Sequence, residues 1–118
     1  MPYQTLLDRL MSSVDGVRGA VLLDSEGEVI VESGARDFRH RLIGAYQGLA
    51  LAAARQTLGA YGVGDGIRHL LCRYEGGTVI VRPMRDGYYF IVSLEPDVAT
   101  GAALHMTARV QVQLDDVL

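Results

Sequence analysis

Cysteine is nearly absent: the 118 residues contain one, Cys72, which excludes an internal disulfide and fits a reducing, cytoplasmic setting. Because it lies in an apolar strand pattern, Cys72 is expected to be a small buried hydrophobe. Lysine is absent altogether, and all 11 basic residues are arginines spread along the chain, against 14 acidic residues for a net charge of -3. With no basic stripe, nucleic acid is not an expected partner. The lysine-free, Arg-, Ala-, Gly- and Val-rich composition matches a GC-rich bacterial gene. Long charge-free apolar runs are also missing, so no membrane span is expected. Asp8 and Arg9 interrupt the N-terminal apolar residues where a signal peptide would be continuous.

What is present suits one globular domain over residues 1–118. Hydrophobic residues make up 49% and charged residues 21%, enough apolar surface for a core and too little charge for disorder. Tyr3, Leu6, Leu7, Leu10, Met11 and Val14 recur at helical spacing, and Asp15-Gly16 ends that helix. Val17 to Asp24 and Glu28 to Glu32 read as a hairpin around Ser25-Glu26-Gly27. A second helix is predicted from Phe38 to about Leu58, capped by Asp37 and ended by Gly59, Gly62, Gly64 and Gly66.

Three further strands follow, Ile67 to Tyr74, Thr78 to Met84 and Tyr88 to Leu94, with turns at Glu75-Gly76-Gly77 and Arg85-Asp86-Gly87. Pro96 and Asp97 suit the start of a last helix whose apolar stripe is Ala99, Ala103, Met106, Val110, Leu114 and Val117. The α/β order α-β-β-α-β-β-β-α implies a single five-stranded, largely antiparallel sheet flanked by helices.

Catalytic patterns do not assemble, and the chain is not expected to be an enzyme. The glycines Gly62, Gly64 and Gly66 follow a helix and precede a strand, the reverse of a phosphate loop. His69 and Cys72, three apart on a strand, point to opposite faces and cannot share a metal; His40 and His105 have no partner at ligand spacing. Ser25 sits in a hairpin turn beside Asp24, not on a strand-to-helix elbow. Asp115 and Asp116 read as a solvated helix end rather than an acid/base pair. No catalytic residue, metal or cofactor is therefore assigned.

The second helix has an unexplained face. Leu42, Ile43, Tyr46, Leu49, Ala50 and Ala53 gather on one side and are expected to cover the sheet. The other side carries Gly44, Gln47, Gly48, Leu51, Ala52 and Arg55, with Leu58. Each helical glycine costs about 1 kcal/mol against alanine, yet Gly44, Gly48 and Ala52 recur every fourth residue, a ridge on which another helix could pack closely. Gly44, Gln47, Gly48, Leu51, Ala52 and Arg55 are the candidate dimer or partner interface.

This order of elements resembles the Roadblock (dynein light-chain) family, with profilin-like architecture. The most telling stretches are Val17-Arg18-Gly19-Ala20 through Val21-Leu22-Leu23-Asp24 to Glu26-Gly27, and Ile91-Val92-Ser93-Leu94 followed by Glu95-Pro96-Asp97 and Gly101. The resemblance implies a homodimer in which second helices pack side by side and third strands pair to continue the sheet. It also implies a role: bacterial members of the MglB type bind Ras-like small GTPases and alter their nucleotide cycle by reshaping the GTPase's own active site. Others act as scaffolds, and some adjoin a histidine-kinase-like protein, a further expected partner. The alternative from another class is a small-ligand sensor of profilin-like or PAS-like architecture, which requires a pocket.

Overall fold

The central strands carry apolar residues on both faces, so the sheet has to be covered twice. In β1 (Val17–Leu23) Ala20 and Leu22 point one way and Val21 and Leu23 the other; in β5 (Tyr89–Leu94) Phe90, Val92 and Leu94 oppose Tyr89 and Ile91. All nine are buried. The computed structural model describes residues 2–34, 50–60, 62 and 67–117, and meets this demand with three layers. One face of the sheet packs against α1 (Pro2–Ser13) through Leu7 and Leu10 and against α3 (Thr100–Val117) through Ala103, Val110 and Leu114. The opposite face packs against Leu51 of the helical residues 50–60, here α2.

The five-stranded sheet has the order β2-β1-β5-β4-β3, with β2 Val29–Gly34, β3 Leu70–Tyr74 and β4 Gly77–Pro83. Each neighbouring pair is antiparallel. Its hairpin turns use the predicted residues. Asp24 accepts hydrogen bonds from the amides of Glu26 and Glu28, each at 2.9 Å, and Gly27 supplies a φ of 85°. Between β4 and β5 the chain turns through a short 3-10 segment, Arg85–Gly87, in which Asp86 (φ 61°) and Gly87 (φ 81°) adopt consecutive left-handed conformations. An Asp-Gly pair tolerates that geometry at low cost.

Several boundaries differ from the periodicity. The last helix begins at Thr100, not at Pro96. Pro96 instead occupies the second position of a turn closed by the Val98 amide on the Glu95 carbonyl at 3.3 Å, where its fixed φ is equally suited. β3 begins at Leu70 because its partner strand ends at Pro83, which has no amide to extend the ladder; Ile67 to His69 precede it as coil. Cys72 is exposed, contrary to expectation. An apolar strand pattern does not distinguish an edge from the middle of a sheet, and β3 is an edge.

The faces of α2 also need correction. Leu51, assigned to the outward side, is 2% exposed and packs among Val21, Leu23, Val79, Val81, Tyr89 and Ile91, whereas Ala50 and Ala53, assigned to the sheet, are exposed. A helix with small apolar residues around its circumference gives a weak periodic signal, and the single large side chain fixes its rotation. Asp37, Phe38, His40, Leu42, Ile43, Tyr46, Leu49, Gly64 and Gly66 lie outside the described residues.

Under α3 sits a buried cation. Arg82 of β4 is 6% exposed and donates to the Thr107 hydroxyl at 2.8 Å and the Leu104 carbonyl at 2.7 Å. It has no carboxylate partner among the described residues, and burial lowers its pKa from the usual arginine value.

Two outcomes follow from these contacts and can be read from denaturant melts. Leu51→Ala should cost about 2–5 kcal/mol, because it removes the apolar side chain that docks α2 on the sheet. Thr107→Val should cost about 1–3 kcal/mol by leaving the Arg82 guanidinium short of a partner, whereas Arg82→Met, which removes the charge with it, should cost less than about 1 kcal/mol.

Candidate functional site

The open edge of the sheet and the outer side of α2 form the candidate surface. β3 pairs with β4 alone among the described strands, so its other edge presents unpaired backbone groups. Cys72, Arg73 and Tyr74 are exposed there, Tyr74 at 44%. α2 crosses the same side of the sheet: its anchor Leu51 shares a cluster with Leu70 of β3 and Ile67 just before it. Residues Ala52, Ala53, Arg55, Gln56 and Thr57 of this helix are exposed, and Leu58 is 37% exposed.

The structure thus separates the six candidate interface residues. Ala52 and Arg55 are exposed, Arg55 one turn beyond Leu51 on the same face of α2, and Leu51 belongs to the protomer's own core. Gly44, Gln47 and Gly48 lie outside the described residues. Arg73 and Tyr74 were not singled out by sequence. A charged or aromatic residue in a five-residue apolar run is the signal that could have marked β3 as an edge.

Charge is arranged at the end of the sheet beside Tyr74. Arg18, near the start of β1, donates to Glu95, just after β5, at 2.9 Å. That hydrogen bond raises the pKa of Arg18 and lowers that of Glu95, and the Tyr74 hydroxyl adds to the rise at Arg18. With side chains 33% and 47% exposed, the pair acts in solvent and orients groups more than it stabilises them. Nearby, Gly77 has a φ of 156°, and a Cβ there would collide with the Leu94 carbonyl, so the β3–β4 hairpin closes tightly against β5.

Groups that could do chemistry are dispersed. His69 is exposed in the coil before β3 and not on the strand, His105 is exposed on α3, and Ser25 is in its turn. Among the described residues no three of His, Cys, Asp and Glu gather closely enough to hold a metal ion. No helix among them is long and apolar enough to cross a membrane.

Comparison with known proteins follows the architecture. The Roadblock/LC7 domain from Streptomyces avermitilis superposes with a TM-score of 0.88 at 17% identity, over 97% of this chain and 95% of that one. MglB from Myxococcus xanthus gives a TM-score of 0.86 at 12% identity, over 98% and 93%. Profilin II from Acanthamoeba castellanii gives 0.62 at 19% identity, over 97% of each chain. These identities establish a shared fold. No curated protein matches the sequence significantly. The family model of the Roadblock/LC7 domain matches residues 3–93, from α1 almost to the end of β5, and the chain therefore belongs to the Roadblock/LC7 domain family.

Proposed function

We propose that the chain, acting over residues 1–118 as one domain, is a homodimeric regulator or adaptor of a bacterial Ras-like small GTPase. The observation that carries this reading is the edge of β3, unpaired among the described strands, lying beside the small, exposed residues of α2. An edge strand left open in a soluble protein invites pairing, and a second copy joined at β3 would continue the sheet while bringing two α2 helices side by side. Ala52 would then sit where helix backbones approach, with Gly44 and Gly48 extending the same small-residue ridge. Arg55 and Gln47 would rim the seam and face the GTPase across both protomers.

Regulation in this reading uses surface complementarity rather than chemistry by this chain's own side chains. The paired α2 helices offer a composite surface that one protomer lacks, so GTPase binding depends on dimerisation. Such a surface alters the nucleotide cycle by favouring one conformation of the GTPase switch regions, an effect limited to the difference in its affinity for the two states.

Ala52→Glu tests both steps. The residue is exposed in the protomer, so the melting temperature at low concentration should change little, while a charge placed in the seam should weaken association by about 1–3 kcal/mol. Light scattering should find a dimer for the unsubstituted chain and dissociation of the variant on dilution. Pull-downs of the source organism's Ras-like GTPases, loaded with GDP or a non-hydrolysable GTP analogue, should show nucleotide-dependent capture that the variant loses. A chain that stays monomeric at high micromolar concentration would refute the reading.

A further inference from the structure

The groove between α1 and α3 joins an apolar floor to two cations that no described residue neutralises. Leu10 of α1 and Val110 of α3 are buried at its base, with Met106 half-buried beside them. Arg9 and Arg109, both exposed, stand on opposite helices, and Gln113 lies one turn beyond Arg109; the hollow measures about 200 Å³. The ion pair found among the described residues is Arg18–Glu95, neither of which lines this groove, so neither guanidinium there is tied to a described carboxylate. Asp8, the sequence neighbour of Arg9, is turned to the Ser33 hydroxyl at 2.5 Å and the Gln4 amide at 3.0 Å.

Two like charges across a small hollow repel each other, and an anion seated between them outweighs that repulsion by attracting both at shorter distance. In a chain of net charge -3, a groove lined by two arginines and no acidic residue is electrostatically complementary to an acidic ligand. The apolar floor asks in addition for an aliphatic group. Its lining has no aromatic residue on which a base could stack, and two cations are few for a nucleic-acid backbone.

We propose that the α1–α3 groove receives an acidic segment of a partner protein, with an aliphatic side chain seated on Leu10, Met106 and Val110 and an adjacent carboxylate held between Arg9 and Arg109. The groove lies on the sheet face opposite Leu51 and α2, so it remains free when the β3 edge and α2 are occupied. One of its walls is α3, which follows the residues matched by the family model. A dimer would carry two such grooves and could hold its acidic partner and a GTPase at once.

The test is selection from a random peptide library of about twelve residues on the immobilised full chain, compared with Arg9→Glu/Arg109→Glu. The unsubstituted chain should enrich peptides pairing Asp or Glu with a nearby Leu, Ile, Val or Met. Charge reversal should weaken these by at least about tenfold and enrich Lys- or Arg-bearing peptides instead, while Arg9→Lys/Arg109→Lys should keep most of the binding. Absence of enrichment, or enrichment that survives charge reversal, would overturn the proposal. Enrichment of basic peptides on the unsubstituted chain would do the same. If the double variant misfolds, Arg109→Gln serves, with the expected loss confined to acidic peptides. Mass by light scattering should be unchanged in every variant, which keeps this outcome separate from failure of the dimer at β3 and α2.

Discussion

Burial of β5 on both faces is the constraint from which the architecture follows. Tyr89 through Leu94 are all buried, and β5 lies between β1 and β4 with antiparallel ladders to each. A strand apolar on both sides cannot lie at a surface, so one cover must come from α1 and α3 and the other from α2. The terminal helices meet across the sheet because each brings only one apolar stripe, Leu7 and Leu10 in α1 and Ala103, Val110 and Leu114 in α3. Tyr3 ties their far ends by donating to the Val117 carbonyl at 2.9 Å.

That central burial leaves the periphery uneven. β3 at one edge exposes Cys72, Arg73 and Tyr74, while β2 at the other keeps Val31 and Ser33 buried under α1, with the Gln4 side chain donating to the Glu32 carbonyl at 3.0 Å. The two edges are therefore not equivalent as places for another chain to add. Among the described residues α1 packs over β2, while β3 pairs with β4 alone. The α1–α3 groove belongs to the opposite face, and the two surfaces share no residue.

Much of this was legible in the order and spacing of residues. Alternating apolar strands, glycine-bearing turns at Ser25-Glu26-Gly27 and Arg85-Asp86-Gly87, and helical stripes at both ends were enough to place the five strands and the two terminal helices to within a few residues and to imply an antiparallel sheet. The candidate surface was less legible. Ala50, Ala52 and Ala53 are alike in size and polarity, so the wheel drawn through them carries little information about rotation, and Leu51 was placed on the wrong side. Cys72 was misread for a related reason: its neighbours are apolar, but lateral position in a sheet is not encoded in a strand's own composition.

The sequence by itself determined local structure: which segments form helices or strands, where the chain turns, and that no phosphate-loop or metal-ligand spacing is present. Those properties depend on residues close along the chain, whose φ/ψ preferences and apolar periods are read directly. Tertiary structure decided what depends on distant pairings: that β3 lies at an edge of the described sheet, that Leu51 anchors α2 inward, and that Arg82 is buried under Thr107. It also brought Arg9 and Arg109, a hundred positions apart in sequence, onto one groove. Such neighbours arise when three layers pack to cover both faces of one sheet, and no window of sequence contains them.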